Sequence, residues 1–289
     1  MGQVIISGLS MGMVYALIAC GFSLVFRMTR VVNFAAGDVV MLGGMIGYTA
    51  YVIWGLSIWI AMLISAVSTG LFFLLVERIA LAPVYRKGIL PAVVATIGLS
   101  FVMQNGAQII WGRGGFSFPT VFGNNPVMIF GLRVVPELLV ISIIGAIVMG
   151  VLTWFLTRTR IGIATRATAG DRRAALLVGI PDRMINSLSF FIAGILAAIA
   201  GVLIAPVTFL TATMGLAIGL KGFVAAIVGG LGSLQGAVVG GLVLGLTETS
   251  VGAYVDGNYR EGIAFALMIV VLLIRPWGLF GEEGTEEGR

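Results

Sequence analysis

The stretch MGQVIISGLSMGMVYALIACGFSLVF, residues 1–26, carries no charged side chain from its first residue to its last. An α-helix crosses roughly 30 Å of hydrocarbon with about 20 apolar residues, and the run from about 4 to 26 supplies them. A cleaved leader would open with a basic region and carry a shorter apolar one. Neither is present, so the segment is read as a retained first span. Five further runs of similar length follow at about 36–54, 57–76, 92–111, 137–156 and 187–210. The pattern predicts an all-α integral membrane protein.

Composition gives the same answer from the other direction. Of 289 residues, 59% are apolar, 10% are charged and 42 are glycine, whereas a soluble domain carries roughly 25% charged residues. A soluble globule of this size needs a polar skin that the chain cannot supply. There is one cysteine, Cys20, and no histidine, which removes disulfides within the chain, Ser-His-Asp and Cys-His nucleophile pairs, and ordinary zinc or haem ligation. The lysines are Lys87 and Lys221, and neither closes a GxxxxGK[ST] phosphate loop. No catalytic residue, metal or cofactor is expected, and any ATP used must be hydrolysed by another chain.

Charge placement predicts orientation. Segment 158–186 holds Arg158, Arg160, Arg166, Arg172, Arg173 and Arg183, and basic loops stay in the cytoplasm. Counting spans from there puts 27–35 and 77–91 inside, with Arg27, Arg30, Arg78, Arg86 and Lys87, and the N-terminus outside. The formal excess of +5 then serves orientation on a lipid bilayer and not nucleic-acid binding. Beyond residue 210 the pattern changes: Leu216–Val228, a break at Gly229-Gly230-Leu231-Gly232-Ser233, then Leu234–Leu246. Each piece reads as too short to span comfortably. A pair of half-helices re-entering from outside is the preferred reading, with two short crossings as the alternative. A last run, Gly262–Ile274, returns the chain to the cytoplasm, giving a bundle of about 7–9 membrane segments including the glycine-broken pair. The whole of 1–289 reads as one transmembrane domain, with 158–186 a cytoplasmic loop inside it and 281–289 a mobile acidic tail. Small residues spaced i, i+4, as in Gly8/Gly12/Ala16, Ala193/Ala197/Gly201, Gly236/Gly240 and Gly241/Gly245, suit close helix packing in lipid.

Three segments are candidates for function. In 165–181, Thr168 and Asp171 match a capping box, and Gly179 with Pro181 reads as a stop. A helix of about 169–178 is expected, showing Ala174, Ala175, Leu177 and Val178 to the cytoplasm. It either lies on anionic headgroups or, as preferred, docks a cytoplasmic motor. In Asn33-Phe34-Ala35-Ala36-Gly37-Asp38, the acid either satisfies the dipole of a helix over 39–54 or lines the cytoplasmic mouth of a pathway. In 219–248, Lys221 and Glu248 either pair at the membrane surface or flank a path lined by Gly229, Gly230, Gly232 and Ser233.

Taken in order, these segments and several flanking motifs resemble the permease subunits of the branched-chain amino acid ATP-binding cassette importers, the Liv system, in their shorter H-type form. The matching stretches are Tyr15–Gly21, Val32–Asp38, Arg166-Ala167 through Asp171 to Gly179-Ile180, Phe223–Ser233 with Gly236-Ala237, and Arg275–Gly281. The resemblance implies a channel half in the inner membrane that works with a sibling permease, two ATP-binding subunits and an external solute-binding protein. It also implies that Arg166, Ala167, Asp171, Ala174, Ala175, Gly179 and Ile180 belong to the ATPase-coupling loop. Many relatives carry histidine where this chain has Ala36. Related permeases serve Leu, Ile and Val, other amino acids, amides or urea. A self-sufficient secondary transporter or channel is the competing class, and the scarcity of intramembrane carboxylates for a proton relay counts against it.

Overall fold

The computed structural model describes residues 1–85, 87–120, 126–129 and 132–281. Arg86 and the acidic segment beyond Gly281 lie outside the described residues. The chain runs α1 (Gly2–Thr29), α2 (Ala36–Tyr48, continued by a π-turn at Thr49–Ile53) and α3 (Ile58–Val76, continued by a π-turn at Glu77–Leu81 into α4, Ala82–Tyr85). It continues with α5 (Ile89–Trp111), β1 (Val127–Ile129), β2 (Leu132–Val134), α6 (Pro136–Arg158), α7 (Arg160–Gly170) and α8 (Arg172–Leu177). The remaining helices are α9 (Asp182–Ile204), α10 (Met214–Gly229), α11 (Leu234–Tyr254) and α12 (Arg260–Ile274). Strands β1 and β2 form one antiparallel hairpin with Val127 opposite Val134. Among the described residues, seven helical stretches are long and apolar enough to cross a membrane.

A helix that is apolar all round has no hydrophobic face to orient it, and in lipid the gain from burying apolar surface is absent. Close backbone approach decides the arrangement instead. Most of α1 and α9 is buried, while α5 and α6 leave most of their surface outward. Against α1, helix α11 presents Gly241 and Gly245, and α1 answers with Gly8 and Gly12. A Cβ at Gly12 would stand 2.9 Å from the Leu242 Cα, and one at Gly8 3.0 Å from the Leu246 Cα. On the other side, α9 sits against α3 at Gly194, where a Cβ would stand 2.9 Å from the Gly70 Cα. Helix α2 meets α9 at Gly44, where a Cβ would fall 3.2 Å from the Gly201 carbonyl oxygen.

Buried hydroxyls pin these contacts. Ser65 on α3 donates to the Gly43 carbonyl at 2.6 Å, and Ser10 on α1 to the Leu138 carbonyl of α6 at 2.7 Å. Ser187 on α9 donates to the Glu77 carboxylate at 2.8 Å, in the π-turn that extends α3.

Several boundaries differ from the sequence expectation. Helix α11 does not stop at Leu246 but runs through Thr247-Glu248-Thr249-Ser250 to Tyr254, 21 residues in all. The polar step is tolerated because Lys221 and Tyr15 satisfy the Glu248 carboxylate. The second half of the glycine-broken pair is therefore long enough to span, while the 16 residues of α10 cover only about 24 Å. The first residues of α9 lie five positions earlier than the apolar run, because Pro181 ends the preceding turn and Asp182 sits in the first helical turn. Asp38 belongs to the first turn of α2 and does not precede it.

The cytoplasmic helix expected over 169–178 is in fact two. Thr168 is interior to α7, its hydroxyl turned back on the Ala164 carbonyl at 2.9 Å. The N-cap is Asp171 itself, extended in backbone and accepting from the Arg173 and Ala174 amides at 2.8 and 3.0 Å. Ala175, expected to face the cytoplasm, is buried.

The glycine contacts give a direct test. Gly241→Val places a branched side chain against the Ala16 backbone, and overpacking of this kind costs about 1–3 kcal/mol or more. Thermal melting of the purified protein should fall by several degrees. Gly98→Ala and Gly106→Ala, where nothing stands within 4 Å of the added Cβ, should leave it unchanged or raise it.

Candidate functional site

The segment Val31–Ala35 does not stay at the surface where α1 ends. Asn33 and Ala36 share a small void with Gly21 and Ala193. Gly21 lies eight residues before the end of α1 and Ala193 eleven into α9, so the chain re-enters by about 12–17 Å. This places Asp38 inside the bundle, where it is 1% exposed. Its carboxylate accepts from the Ser100 hydroxyl and, at 3.1 Å, from Gln104 Nε2, both on α5. Gln104 also donates to Ser100 at 3.2 Å, and Thr96 on the same helix face accepts from the Phe34 amide at 3.3 Å. Asn33 accepts from the Ala35 amide at 3.0 Å through Oδ1, and its buried Nδ2 has no partner among the described residues.

The opposite wall of this cluster is α10. A Cβ at Gly215 would stand 2.8 Å from the Asp38 Cα, and one at Gly219 2.7 Å from the Gly37 Cα. No side chain larger than hydrogen fits on either side of the crossing.

Six residues past Gly215, the same helix carries Lys221. Its ammonium donates to Glu248 Oε1 at 2.6 Å, while the Tyr15 hydroxyl of α1 donates to Oε2 at 2.7 Å. The ammonium also stands 5.9 Å from the Tyr15 ring centroid, within cation–π range. Lys221 and Glu248 do pair, but their side chains are 19% and 10% exposed, so the ion pair belongs to the helix interface and not to an open membrane surface. One carboxylate thus joins α1, α10 and α11.

The break between α10 and α11 is a tight turn. Gly230 and Gly232 adopt φ of +107° and +88°, a region in which side-chain-bearing residues are strained. Gly229 packs on Gly236, and Ser233 caps α11 by accepting from the Gly236 amide at 3.1 Å. The C-terminal segment then folds back along the turn, the Leu279 and Phe280 amides donating to the carbonyls of Val228 and Gly229, both at 2.9 Å. Gly229 and Gly230 are therefore occupied by backbone packing. Gly232 and Ser233 instead line a cavity of about 650 Å³ that Arg27, Arg30 and Arg166 also line.

The sequence candidates thus fall into separate places. Asn33, Gly37 and Asp38 form one cluster, Lys221 and Glu248 a second, and Gly229, Gly230, Gly232 and Ser233 the turn between α10 and α11. Tyr15, Ser100 and Gln104 complete the first two and were not singled out from sequence. Gln104 is a polar residue inside an apolar run, a signal that was present; Tyr15 reads as an ordinary core aromatic until its hydroxyl partner is known.

The coupling candidates form a further group, of which Arg166 shares the cavity with Gly232 and Ser233. Arg166 and Ala167 lie on α7, and Asp171 caps α8, which carries Ala174 and Ala175. Gly179 takes φ +83° after α8 and Ile180 donates its amide to the Ala175 carbonyl at 3.0 Å. An ion pair between Arg172 and Asp182 ties α8 to the start of α9.

A multi-pass apolar bundle, with interior charges such as Glu248 and Asp38 paired or hydrogen-bonded across helices, defines a polytopic membrane protein. The chain belongs to the family described as the branched-chain amino acid transport system permease component, which matches residues 4–272. It is 33% identical to the high-affinity branched-chain amino acid transport system permease protein LivH of Escherichia coli K12, over 99% of this chain and 97% of that one. It is 34% identical to the permease protein BraD of the corresponding system in Pseudomonas aeruginosa, with the same coverage. Among solved structures, PsaBC from Streptococcus pneumoniae in complex with Fab shares the fold, with a TM-score of 0.55 at 16% identity over 96% of this chain and 93% of that one. The chain is a transport permease and not an enzyme.

The three-helix ion pair makes a testable unit. Lys221→Met leaves Glu248 facing Tyr15 alone, and removing one partner of a buried pair costs about 3 kcal/mol. The melting temperature of the single variant should drop clearly, and the double variant Lys221→Met, Glu248→Gln should recover part of the loss. A double-variant loss equal to the sum of the losses in Lys221→Met and Glu248→Gln alone would show that the pair is not energetically coupled.

Proposed function

We propose that this permease imports branched-chain or closely related amino acids as the membrane-spanning subunit of an ATP-binding cassette system, in the inner membrane, with its N-terminus outside and its C-terminus in the cytoplasm. Its partners are a sibling permease, two cytoplasmic ATP-binding subunits and an external solute-binding protein. The observation that carries the reading is the outward face of α8. Leu176, Leu177 and Val178 are 52%, 88% and 77% exposed, on a short helix held rigid by the Asp171 cap and the Arg172–Asp182 pair. Apolar residues so exposed on a short, tethered helix suit a protein partner.

On this reading, an ATPase subunit receives α8 and moves it with α7 and α9. Helix α10 is the element that responds within the membrane. It is short, it is held at Gly215 and Gly219 against α2, and it is held at Lys221 against α1 and α11. Asn33, Gly37 and Asp38 on one side and Lys221 and Glu248 on the other then flank the translocation path. The turn at Gly229, Gly230, Gly232 and Ser233 is its cytoplasmic pivot. A zwitterionic solute needs polar backbone more than strong net charge along such a path.

Two measurements test the proposal. Gentle solubilisation and affinity capture of the tagged chain should bring down ATP-binding subunits and a permease partner; recovery of the chain alone, with solute flux in liposomes, would make it a self-sufficient transporter. Leu177→Glu with Val178→Glu should abolish ATP-driven uptake and ATPase capture, with melting unchanged because neither side chain is buried. Undiminished uptake by that variant would remove α8 from the coupling role.

A further inference from the structure

The cavity of about 650 Å³ lies where α1 ends, between α6, α7 and the turn that opens α11. Its polar side is strongly cationic. Arg27 and Arg30 reach it from α1 and its C-cap, and Arg166 from α7. Among the described residues no Asp or Glu lines it, and Arg30 and Arg166 have no acidic partner. The start of α11 adds donors. Ser233 and Gln235 line the cavity, and the Leu234 and Gln235 amides, in the first turn of a 21-residue helix, have no acceptor among the described residues. Guanidinium groups and a helix N-terminus converging on one space are suited to a phosphate-type anion.

The other side of the cavity is apolar. Met149, Leu152 and Leu156 of α6 form it together with Phe280 and Val238, and α6 turns Ile147, Val151 and Trp154 outward. The volume falls within the ~300–1,000 Å³ of pockets that hold whole organic ligands, beyond the needs of a bare inorganic ion. A cationic rim above an apolar wall, between membrane helices at the basic end of the bundle, fits an amphiphile with an anionic head.

We propose that this cavity is a binding site for an anionic phospholipid, its phosphodiester held by Arg30, Arg166 and the first turn of α11 and its acyl chains lying along α6. The inference is independent of which solute the permease carries. It rests on the cavity and its arginines and not on the coupling role of α8.

The test uses the full chain, purified in mild non-ionic detergent with the subunits that accompany it. It is titrated separately with phosphatidylglycerol, phosphatidylcholine and soluble glycerol 3-phosphate, and bound adducts are read by native mass spectrometry. Phosphatidylglycerol should be retained in preference to phosphatidylcholine. Arg30→Gln with Arg166→Gln should weaken that retention about 30-fold, given the contribution of each basic group near a lipid headgroup. Arg173→Gln with Arg183→Gln, which removes the same charge from residues outside the cavity, should not. Thr157→Trp, an exposed position at the cavity, should block retention with every arginine in place and the melting temperature unchanged, so the test survives if the arginine variant does not fold. Equal losses in the two double-arginine variants would reduce the effect to diffuse surface attraction and overturn the site. Displacement by glycerol 3-phosphate as strong as that by the lipid would make the ligand a soluble phosphate. Retention seen only after removal of residues 282–289 would assign the cavity to that Glu-rich segment and overturn the lipid proposal.

Discussion

Backbone-to-backbone contact at glycine is the constraint on which this bundle depends. In water, a helix is oriented by its apolar stripe; in lipid, every face of these helices is compatible with the surroundings, and position is set by how closely two backbones can approach. Helix α1 accepts α11 through Gly8, Gly12, Gly241 and Gly245, and α10 accepts α2 through Gly37, Gly215 and Gly219. Helix α9 joins the second pair to α3 through Gly194 and Gly70. The helices left outside this seam, α5 and α6, keep most of their surface outward. Gly145 of α6 packs on Met13 of α1, but at Gly98, Gly106 and Gly150 an added Cβ would meet nothing within 4 Å.

Close approach also explains why charge is tolerated inside. Glu248 and Lys221 face each other because Gly229 and Gly240 bring α10 and α11 together, and Tyr15 reaches both because α11 lies directly on α1. Asp38 has no cation beside it among the described residues, and is met by a hydroxyl and an amide from α5. A carboxylate away from water without such partners would be costly. Both arrangements lie against α10, Asp38 packed on Gly215 in its first turn and Glu248 bonded to Lys221 near its middle. A helix held at one point by a short ion pair and elsewhere by close packing at glycine has few ways to move.

The segment of α7 and α8 follows other rules. Helices α7 and α8 are capped by Thr159 and Asp171 side chains, as helices in water are, and α8 leaves its apolar residues exposed where a second protein can take them up. Arginines in the same region divide between two tasks: Arg172 fixes α8 to α9 through Asp182, while Arg30 and Arg166 face a cavity among the described residues with no acid to meet them.

The membrane class, the six long spans up to residue 210 and the small-residue pairs were all legible in the sequence, because span length and composition are properties of contiguous residues. Lys221, Glu248, Asp38 and the glycine break were also visible there, as polar or flexible exceptions in an apolar background. Their partners were not. Tyr15 lies 233 positions from Glu248, and Ser100 lies 62 from Asp38, and no local pattern carries such pairings. The same blindness cut α11 short at Leu246, since the acid that ends an apolar run in sequence is neutralised in space by a residue from another helix. It also misplaced the cap of α8, where the choice between Thr168 and Asp171 depended on whether α7 continued past residue 168. What the chain determined by itself was which segments enter the membrane, because that depends on transfer of each segment from water to lipid. Which faces meet, and so which charges are paired and which cavity is left cationic, was decided by the tertiary packing, because only there do backbones from distant segments come within reach.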